Sequence, residues 1–133
     1  MEYQKDSQSR HPNYEVFTSA DLQKVVMLPQ IECFNETIFT RRLTVFNETF
    51  VELGSGKRNF AAVWHEGISG RQDEDLASTL HSYMLKMRDM KRVVFWLDDC
   101  GAQNKNCTLF TMLLHLINSK IVVTEKVELK FLE

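Results

Sequence analysis

The stretch Val93–Asn106 reads VVFWLDDCGAQNKN, in which five apolar residues run directly into two carboxylates. A short apolar run with β-branched and aromatic residues is typical of a buried strand. A strand that ends in acidic residues places them at the carboxyl edge of a sheet, where open α/β folds bind ligands and metal ions. Charged groups in such a place usually have a partner. The sequence therefore predicts a functional edge at Asp98 and Asp99.

The first half of the chain is predicted to be rich in strands. Tyr14–Ala20 has strand-like content and leads into Asp21, and the apolar character continues through Leu22–Leu28. Leu43–Leu53 alternates apolar and polar residues, and a Gly-Ser-Gly turn separates it from the apolar run Phe60–Trp64. Two such runs around a short glycine-containing turn predict a β-hairpin.

The second half alternates between helices and strands. Apolar residues recur at three- and four-residue spacing from Leu76 to Met87, which predicts an amphipathic helix before the Val93 strand. A second helix, capped by Asn106 or Thr108, is apolar nearly all round, and Val127–Leu132 is strand-like again. The predicted order is β-β-β-α-β-α-β, which indicates an α/β fold with a mixed sheet and helices on its faces.

The composition is that of a globular domain. The chain has 133 residues, 44% of them apolar and 26% charged, with a formal net charge of −2. This is not the basic balance of a self-sufficient nucleic-acid binder. No apolar run approaches the roughly 20 residues that a membrane span needs, so no membrane partner is expected.

The N-terminal segment and the cysteines predict the compartment. Residues 1–13 are polar and lack an apolar signal core, so we predict a disordered lead-in followed by one domain over residues 14–133. Three cysteines are an odd and sparse set, which predicts an intracellular protein, with the nucleus among the candidate compartments.

A phosphate loop is a weaker interpretation of the turn at residues 54–57. The sequence Gly-Ser-Gly-Lys there would suit a small nucleotide-binding or regulatory domain. It lacks the spacing of a P-loop and precedes a strand rather than a helix. We therefore discount this alternative.

The order of predicted elements resembles the ribonuclease-H-like fold, whose enzymes cut or join nucleic-acid strands with two divalent metal ions. Three motifs extend this likeness to the level of residues: FTSADLQK at Phe17–Lys24 with Leu28-Pro29 close behind, VWHE at Val63–Glu66, and above all LDDCGAQNKN at Leu97–Asn106. On these motifs the chain resembles an uncharacterised transposase-like domain family of proteins derived from mobile elements. The resemblance covers Phe17 to the C-terminal end.

The resemblance implies where the catalytic acids lie. One acid of the fold lies on the first strand and a second at the end of the fourth, which are the places of Asp21 and Asp98. The family commonly has Asn where Asp99 stands, and it continues beyond the last strand with a Gly-His segment and a further Asp. This chain ends at Glu133, so we expect a DDE-type domain that is incomplete at its C-terminus and lacks the third acid.

Divalent cations would be the cofactors of such a site. Mg²⁺ and Mn²⁺ are hard ions that prefer carboxylate oxygens and water, so Asp21 and Asp98 are the expected ligands and Asp99 a secondary one. Gln103, Asn104 and Lys105 would either contact the phosphates of a substrate or close the turn. A turn or helix-capping role for Asp98 is the alternative to metal binding.

Two functions remain open from the sequence. The first is a transposase-derived domain related to two-metal phosphodiester cleavage and strand-transfer enzymes, with DNA as partner and without activity as this fragment. The second is a non-enzymatic domain of the same fold that contacts protein or nucleic acid. An incomplete sheet would also leave the apolar face around Val127, Leu129 and Phe131 exposed, which would favour self-association.

Overall fold

A computed structural model describes residues 2–9, 11–30, 39–54, 58–99 and 105–132. Within these residues the chain forms six strands and three helices. In chain order they are α1 (Glu2–Gln8), β1 (Glu15–Leu22), β2 (Val26–Leu28), β3 (Leu43–Glu52), β4 (Asn59–His65), α2 (Asp73–Lys86), β5 (Arg92–Asp98), α3 (Cys107–Asn118) and β6 (Lys126–Leu132).

The six strands form one mixed sheet. β3 pairs antiparallel with β4 on one side and with β1 and β2 on the other. The backbone N–H of Gln23 donates to the carbonyl of Asn47 at 2.8 Å, so β1 and β2 follow the same edge of β3. β5 pairs parallel with β1, and β6 pairs parallel with β5. The sheet therefore runs β4-β3-β1-β5-β6, and the predicted mixed α/β architecture is confirmed.

The main core lies between one face of the sheet and helices α2 and α3. Its centre is aromatic: the rings of Phe50 and Tyr83 stack at 4.6 Å, and Phe95 meets Tyr83 edge-on at 5.8 Å. The Tyr83 hydroxyl also shares a hydrogen bond of 2.6 Å with the buried hydroxyl of Thr18 on β1. The amphipathic helix predicted before β5 is present, and its apolar stripe faces this core.

Helix α1 lies on the opposite face of the sheet, although we predicted a disordered lead-in for this segment. Tyr3 meets Trp96 edge-on at 5.4 Å, and the indole N–H of Trp96 donates to Asp6 at 3.0 Å. Lys130 on β6 also donates to Asp6, at 3.1 Å. The sequence of α1 gives no sign of order because its contacts come from residues about 90 positions or more away in the chain.

The apolar residues of β6 are half-buried, which corrects the predicted exposure of this face. Val127, Leu129 and Phe131 pack against the main core, because the parallel register sets them beside the buried residues Val93, Phe95 and Leu97 of β5. In the part of the chain that the structure describes, no helix has the length and apolar character needed to cross a bilayer.

Candidate metal site between two parallel strands

The two acids singled out from the sequence lie at the ends of neighbouring central strands. The pairing of β1 with β5 ends at Ser19 and Trp96. Beyond that point β1 stays paired with β3 as far as Leu22, and β5 stays paired with β6 as far as Asp98. β1 and β5 therefore separate at this end of the sheet, although β1 remains paired with β3 and β5 with β6. Asp21 lies on β1 and Asp98 on β5, each two residues beyond the last pair.

Both carboxylates belong to the same face of the sheet. Asp21 lies two residues beyond Ser19, and Asp98 lies two residues beyond Trp96, so the two acids continue the parallel register. Side chains alternate along a strand, and Trp96 packs on the face that carries α1. Asp21 and Asp98 thus belong to the α1 face, opposite the main core, and both are exposed.

A small polar network holds the Asp21 carboxylate. Gln23 Nε2 donates to Asp21 Oδ2 at 2.9 Å and to the hydroxyl oxygen of Thr49 at 3.0 Å. The Thr49 hydroxyl in turn lies 3.3 Å from the backbone carbonyl oxygen of Asp21. The Gln23 amide thus orients one carboxylate oxygen of Asp21. None of these three contacts is with a Lys or Arg side chain, so they leave the negative charge of Asp21 unbalanced.

Asp99, the residue directly after β5, has a different environment. Asp99 forms an ion pair with Lys105, whose ammonium also lies 4.6 Å from the centre of the Phe131 ring. Lys105 thus contacts both Asp99, directly after β5, and Phe131 on β6. Gln103 and Asn104 lie outside the described residues.

The donor set fits a hard divalent cation that keeps most of its water. Asp21 and Asp98 carry carboxylate oxygens, which Mg²⁺ and Mn²⁺ prefer, and both residues are exposed. Among the described residues, no three His, Cys, Asp or Glu side chains are grouped closely enough to form a metal site. Two carboxylates without a third predict weak binding of one ion.

A further acid, Glu48 on β3, was not predicted from the sequence. Its side chain faces the main core beside α2 and is only 5% exposed, and Thr79 donates a hydrogen bond to its Oε2. Burial raises the pKa of Glu48 to about 7, the Thr79 hydrogen bond opposes this rise, and the charge of Asp21 adds to it. The signal was present in the alternation of β3, where Glu48 stands between the buried residues Phe46 and Phe50.

Glu48 and Asp21 belong to opposite faces of the sheet. Glu48 lies opposite Leu22, the residue after Asp21, in the antiparallel pairing of β3 with β1. Its carboxyl group turns to α2, whereas Asp21 turns to the α1 face. Glu48 is therefore a buried acid near the candidate site and not a third ligand in it.

Comparisons of the chain with protein-family models and with curated proteins return no match.

Proposed function

We propose that this chain is a transposase-derived domain of the ribonuclease-H-like type, and that Asp21 and Asp98 bind a divalent cation. The observation that carries the proposal is the junction of β1 and β5, where the parallel pairing ends and an acid follows on each strand. In open α/β sheets, ligands bind in the crevice beyond the carboxyl ends of the strands, where chain connections diverge. In this sheet the chain leaves β1 for strands on one side of the junction, β2 and β3, and leaves β5 for the strand on the other side, β6.

The strand directions support the proposed fold. The resemblance of the sequence implies that the first and fourth strands pair centrally and carry the two acids, and the sequence pattern predicts a β-hairpin. The first and fourth predicted strands are β1 and β5, because β2 is additional to the predicted order; they pair with each other, and β3 pairs antiparallel with β4. Helices α2 and α3 pack together on one face, as expected for an α/β sheet with crossover connections.

The chain's own residues would have three roles at a bound ion. Asp21 and Asp98 would bind it, and Gln23 would hold the Asp21 carboxylate in its orientation. Asp99 would add a second carboxylate on the β5 side after giving up its ion pair with Lys105. A bound divalent ion supplies Lewis-acid chemistry, lowering the pKa of a water or hydroxyl and stabilising a leaving phosphate oxygen.

We further propose that this chain does not cleave DNA on its own. Two-metal phosphodiester chemistry requires two ions about 4 Å apart, and these need more carboxylates than one pair provides. Among the described residues no His, Cys, Asp or Glu is grouped with the pair as a third ligand, since Asp99 is held by Lys105; even with Asp99 released, all three carboxylates would serve one ion. The prediction is therefore metal binding without turnover.

A non-enzymatic interaction domain of the same fold is the second candidate. It is favoured by the ion pair between Asp99 and Lys105, because the Lys105 ammonium that would otherwise contact a phosphate is bound to Asp99. In this alternative the acids at the end of β1 and β5 are remnants. DNA or protein would then bind elsewhere on the surface.

A cleavage assay tests the proposed lack of turnover. The 133-residue chain is incubated with Mn²⁺ and labelled single- and double-stranded DNA, beside the Asp98→Ala variant. We expect the same background signal from both proteins. Metal-dependent cleavage by the wild type that Asp98→Ala removes would overturn the proposed inactivity while leaving the metal site in place.

A further inference from the structure

The two outer edges of the sheet are protected to very different degrees. Edge strands expose unpaired N–H and C=O groups, and proteins usually protect them with charged residues, proline or bulges. β6 carries Lys126, Glu128 and Lys130. β4 reads NFAAVWH and carries no proline and no Lys, Arg, Asp or Glu. Within the described residues, no strand pairs with the outer edge of β4.

The hydrogen bonds at both ends of β4 identify the backbone groups that face outward. Glu52 N–H donates to the Arg58 carbonyl at 3.2 Å, and Glu66 N–H donates to the Thr44 carbonyl at 2.9 Å. Hydrogen-bonded and non-hydrogen-bonded pairs alternate in an antiparallel ladder. The even-numbered residues of β4 therefore direct their backbone N–H and C=O groups to β3. Asn59, Ala61 and Val63 turn their N–H and C=O groups to the free edge.

An open groove runs beside this edge, between β4 and α2. Its volume is about 500 Å³. Phe60, Ala62 and Trp64 form its β4 side, and hydroxyl groups of α2 line the other. Val63 and Ile68 at its rim are 63% and 72% exposed. Large exposed apolar residues beside an unprotected edge are typical of an interaction surface.

The sequence of the edge is chemically symmetric about Ala62. Arg58–Glu66 reads RNFAAVWHE. Counting outward from Ala62, each residue before it matches one after it in chemistry: aliphatic with aliphatic, aromatic with aromatic, polar with polar, and cation with anion. These pairs are Ala61 with Val63, Phe60 with Trp64, Asn59 with His65, and Arg58 with Glu66.

We propose that two copies of this chain associate through the outer edges of β4, antiparallel and about a two-fold axis at Ala62. In this register, Ala61 of one copy lies opposite Val63 of the other, and both turn their backbone groups outward, so they exchange hydrogen bonds. Phe60 meets Trp64 of the second copy over the groove, where aromatic pairs across strands are stabilising. Arg58 meets Glu66 of the second copy at each end.

The charges and the backbone select this occupant and this register. An isologous interface requires a self-complementary patch, and the edge meets this requirement with opposite charges at its two ends. A shift by one residue would set outward-turned groups opposite residues that are bonded to β3, which breaks the ladder. A foreign strand would gain the backbone bonds but none of the matched pairs.

A cysteine at the two-fold axis tests the register. In a background with Cys33, Cys100 and Cys107 replaced by Ser, Ala62→Cys places two thiols at a non-hydrogen-bonded pair. The Cα atoms of such pairs are about 4.5 Å apart, which suits a disulfide. We expect oxidation to cross-link this variant at least tenfold faster than Val63→Cys, whose two copies would lie roughly 7–8 Å apart.

If exposure alone set the rate of cross-linking, Val63→Cys would react faster than Ala62→Cys, since Val63 is more exposed than the half-buried Ala62. Equal or faster cross-linking of Val63→Cys would therefore overturn the proposed register.

Substitution on the free edge tests the association itself by sedimentation or light scattering of the whole chain. Ala61→Pro removes an outward N–H that β3 does not use, and an edge strand tolerates proline there. Val63→Lys adds a charge to the same edge. We expect the wild type to dimerise and each variant to raise the dissociation constant at least tenfold with unchanged circular dichroism. A monomeric wild type, a dimer through another surface, or variants that dimerise as well as the wild type would contradict the proposal.

Discussion

Thr79 donates a hydrogen bond to Oε2 of Glu48, a carboxyl group that is buried between β3 and α2. The same hydroxyl lies 2.7 Å from the carbonyl oxygen of Leu76. A hydroxyl has one hydrogen and can serve only one acceptor at a time. A protonated Glu48 can instead donate to Thr79, which leaves the Thr79 hydrogen for Leu76. The neutral form of Glu48 thus satisfies all three groups.

We predict that this acid makes the fold less stable as the pH rises. Burial raises the pKa of Glu48 from its usual 4.5 to about 7, so between these values the native state holds a proton that the unfolded chain has lost. The stabilisation of the native state by protonated Glu48 is complete below pH 4.5. It is lost as the pH rises from 4.5 through 7 and changes no further above that. The difference corresponds to up to about 3 kcal/mol.

The variant Glu48→Gln isolates this effect from the titration of other groups. Its amide can still bond to Thr79, but it does not ionise. Urea unfolding from pH 4.5 to 8.5 is expected to show a gain in unfolding free energy over wild type that grows with pH. Asp89→Asn, at an exposed acid in the turn after α2, is the control and should follow the wild-type curve. A constant offset for Glu48→Gln would refute the assignment.

The hydroxyl pair of Thr18 and Tyr83 is predicted to stabilise the core. The two oxygens are 2.6 Å apart, and both residues are at most 1% exposed. Burial also raises the pKa of Tyr83 to about 12, so the group stays neutral at physiological pH. Tyr83→Phe leaves the Thr18 hydroxyl without this partner, which should cost about 1–3 kcal/mol of unfolding free energy.

The double variant Thr18→Val with Tyr83→Phe separates the hydrogen bond from the packing. It removes both polar groups, so the loss should be smaller than the sum of the two single losses. The unfolding free energy of the wild type, the two single variants and the double variant is measured by denaturant unfolding. Strictly additive losses would mean that the two hydroxyls do not interact.

Docking of helix α1 is predicted to depend on Asp6. This carboxylate accepts from Trp96 Nε1 at 3.0 Å and from Lys130 Nζ at 3.1 Å. Asp6→Ala removes both bonds, which are worth about 1–2 kcal/mol together. Amide hydrogen exchange in α1 should then become roughly tenfold faster, with exchange in the main core nearly unchanged. Lys5→Ala, at an exposed position of the same helix, should exchange like the wild type.

The parts of the fold predicted from the sequence are those with a local signature. The alternation in β3, the helical stripe of α2 and the apolar run of β5 each reflect which face is buried, so their periods indicate their structure. The acids at the ends of β1 and β5 were likewise recognisable, because a carboxylate that follows an apolar run is unusual. Their placement on adjacent strands follows from the parallel pairing of β1 with β5.

The features that escaped prediction depend on distant contacts. The order of α1 comes from Trp96 and Lys130, neither of which can be connected to residues 2–8 by any local pattern. The burial of the β6 side chains comes from their register with β5 rather than from their own sequence. Glu48 was overlooked because an acid at an apolar position is assumed to be exposed.

Titration with Mn²⁺ tests the proposed metal site most directly. Free Mn²⁺ is measured by its electron paramagnetic resonance signal with the 133-residue chain and with the variants Asp21→Asn, Asp98→Asn and Asp89→Asn. We predict one weak site in the wild type and in Asp89→Asn, and at least a tenfold loss of affinity in the other two. That loss corresponds to about 1.4 kcal/mol of binding free energy. An affinity that is the same in all four proteins, or no binding by the wild type at millimolar Mn²⁺, would contradict the assignment of Asp21 and Asp98 as metal ligands.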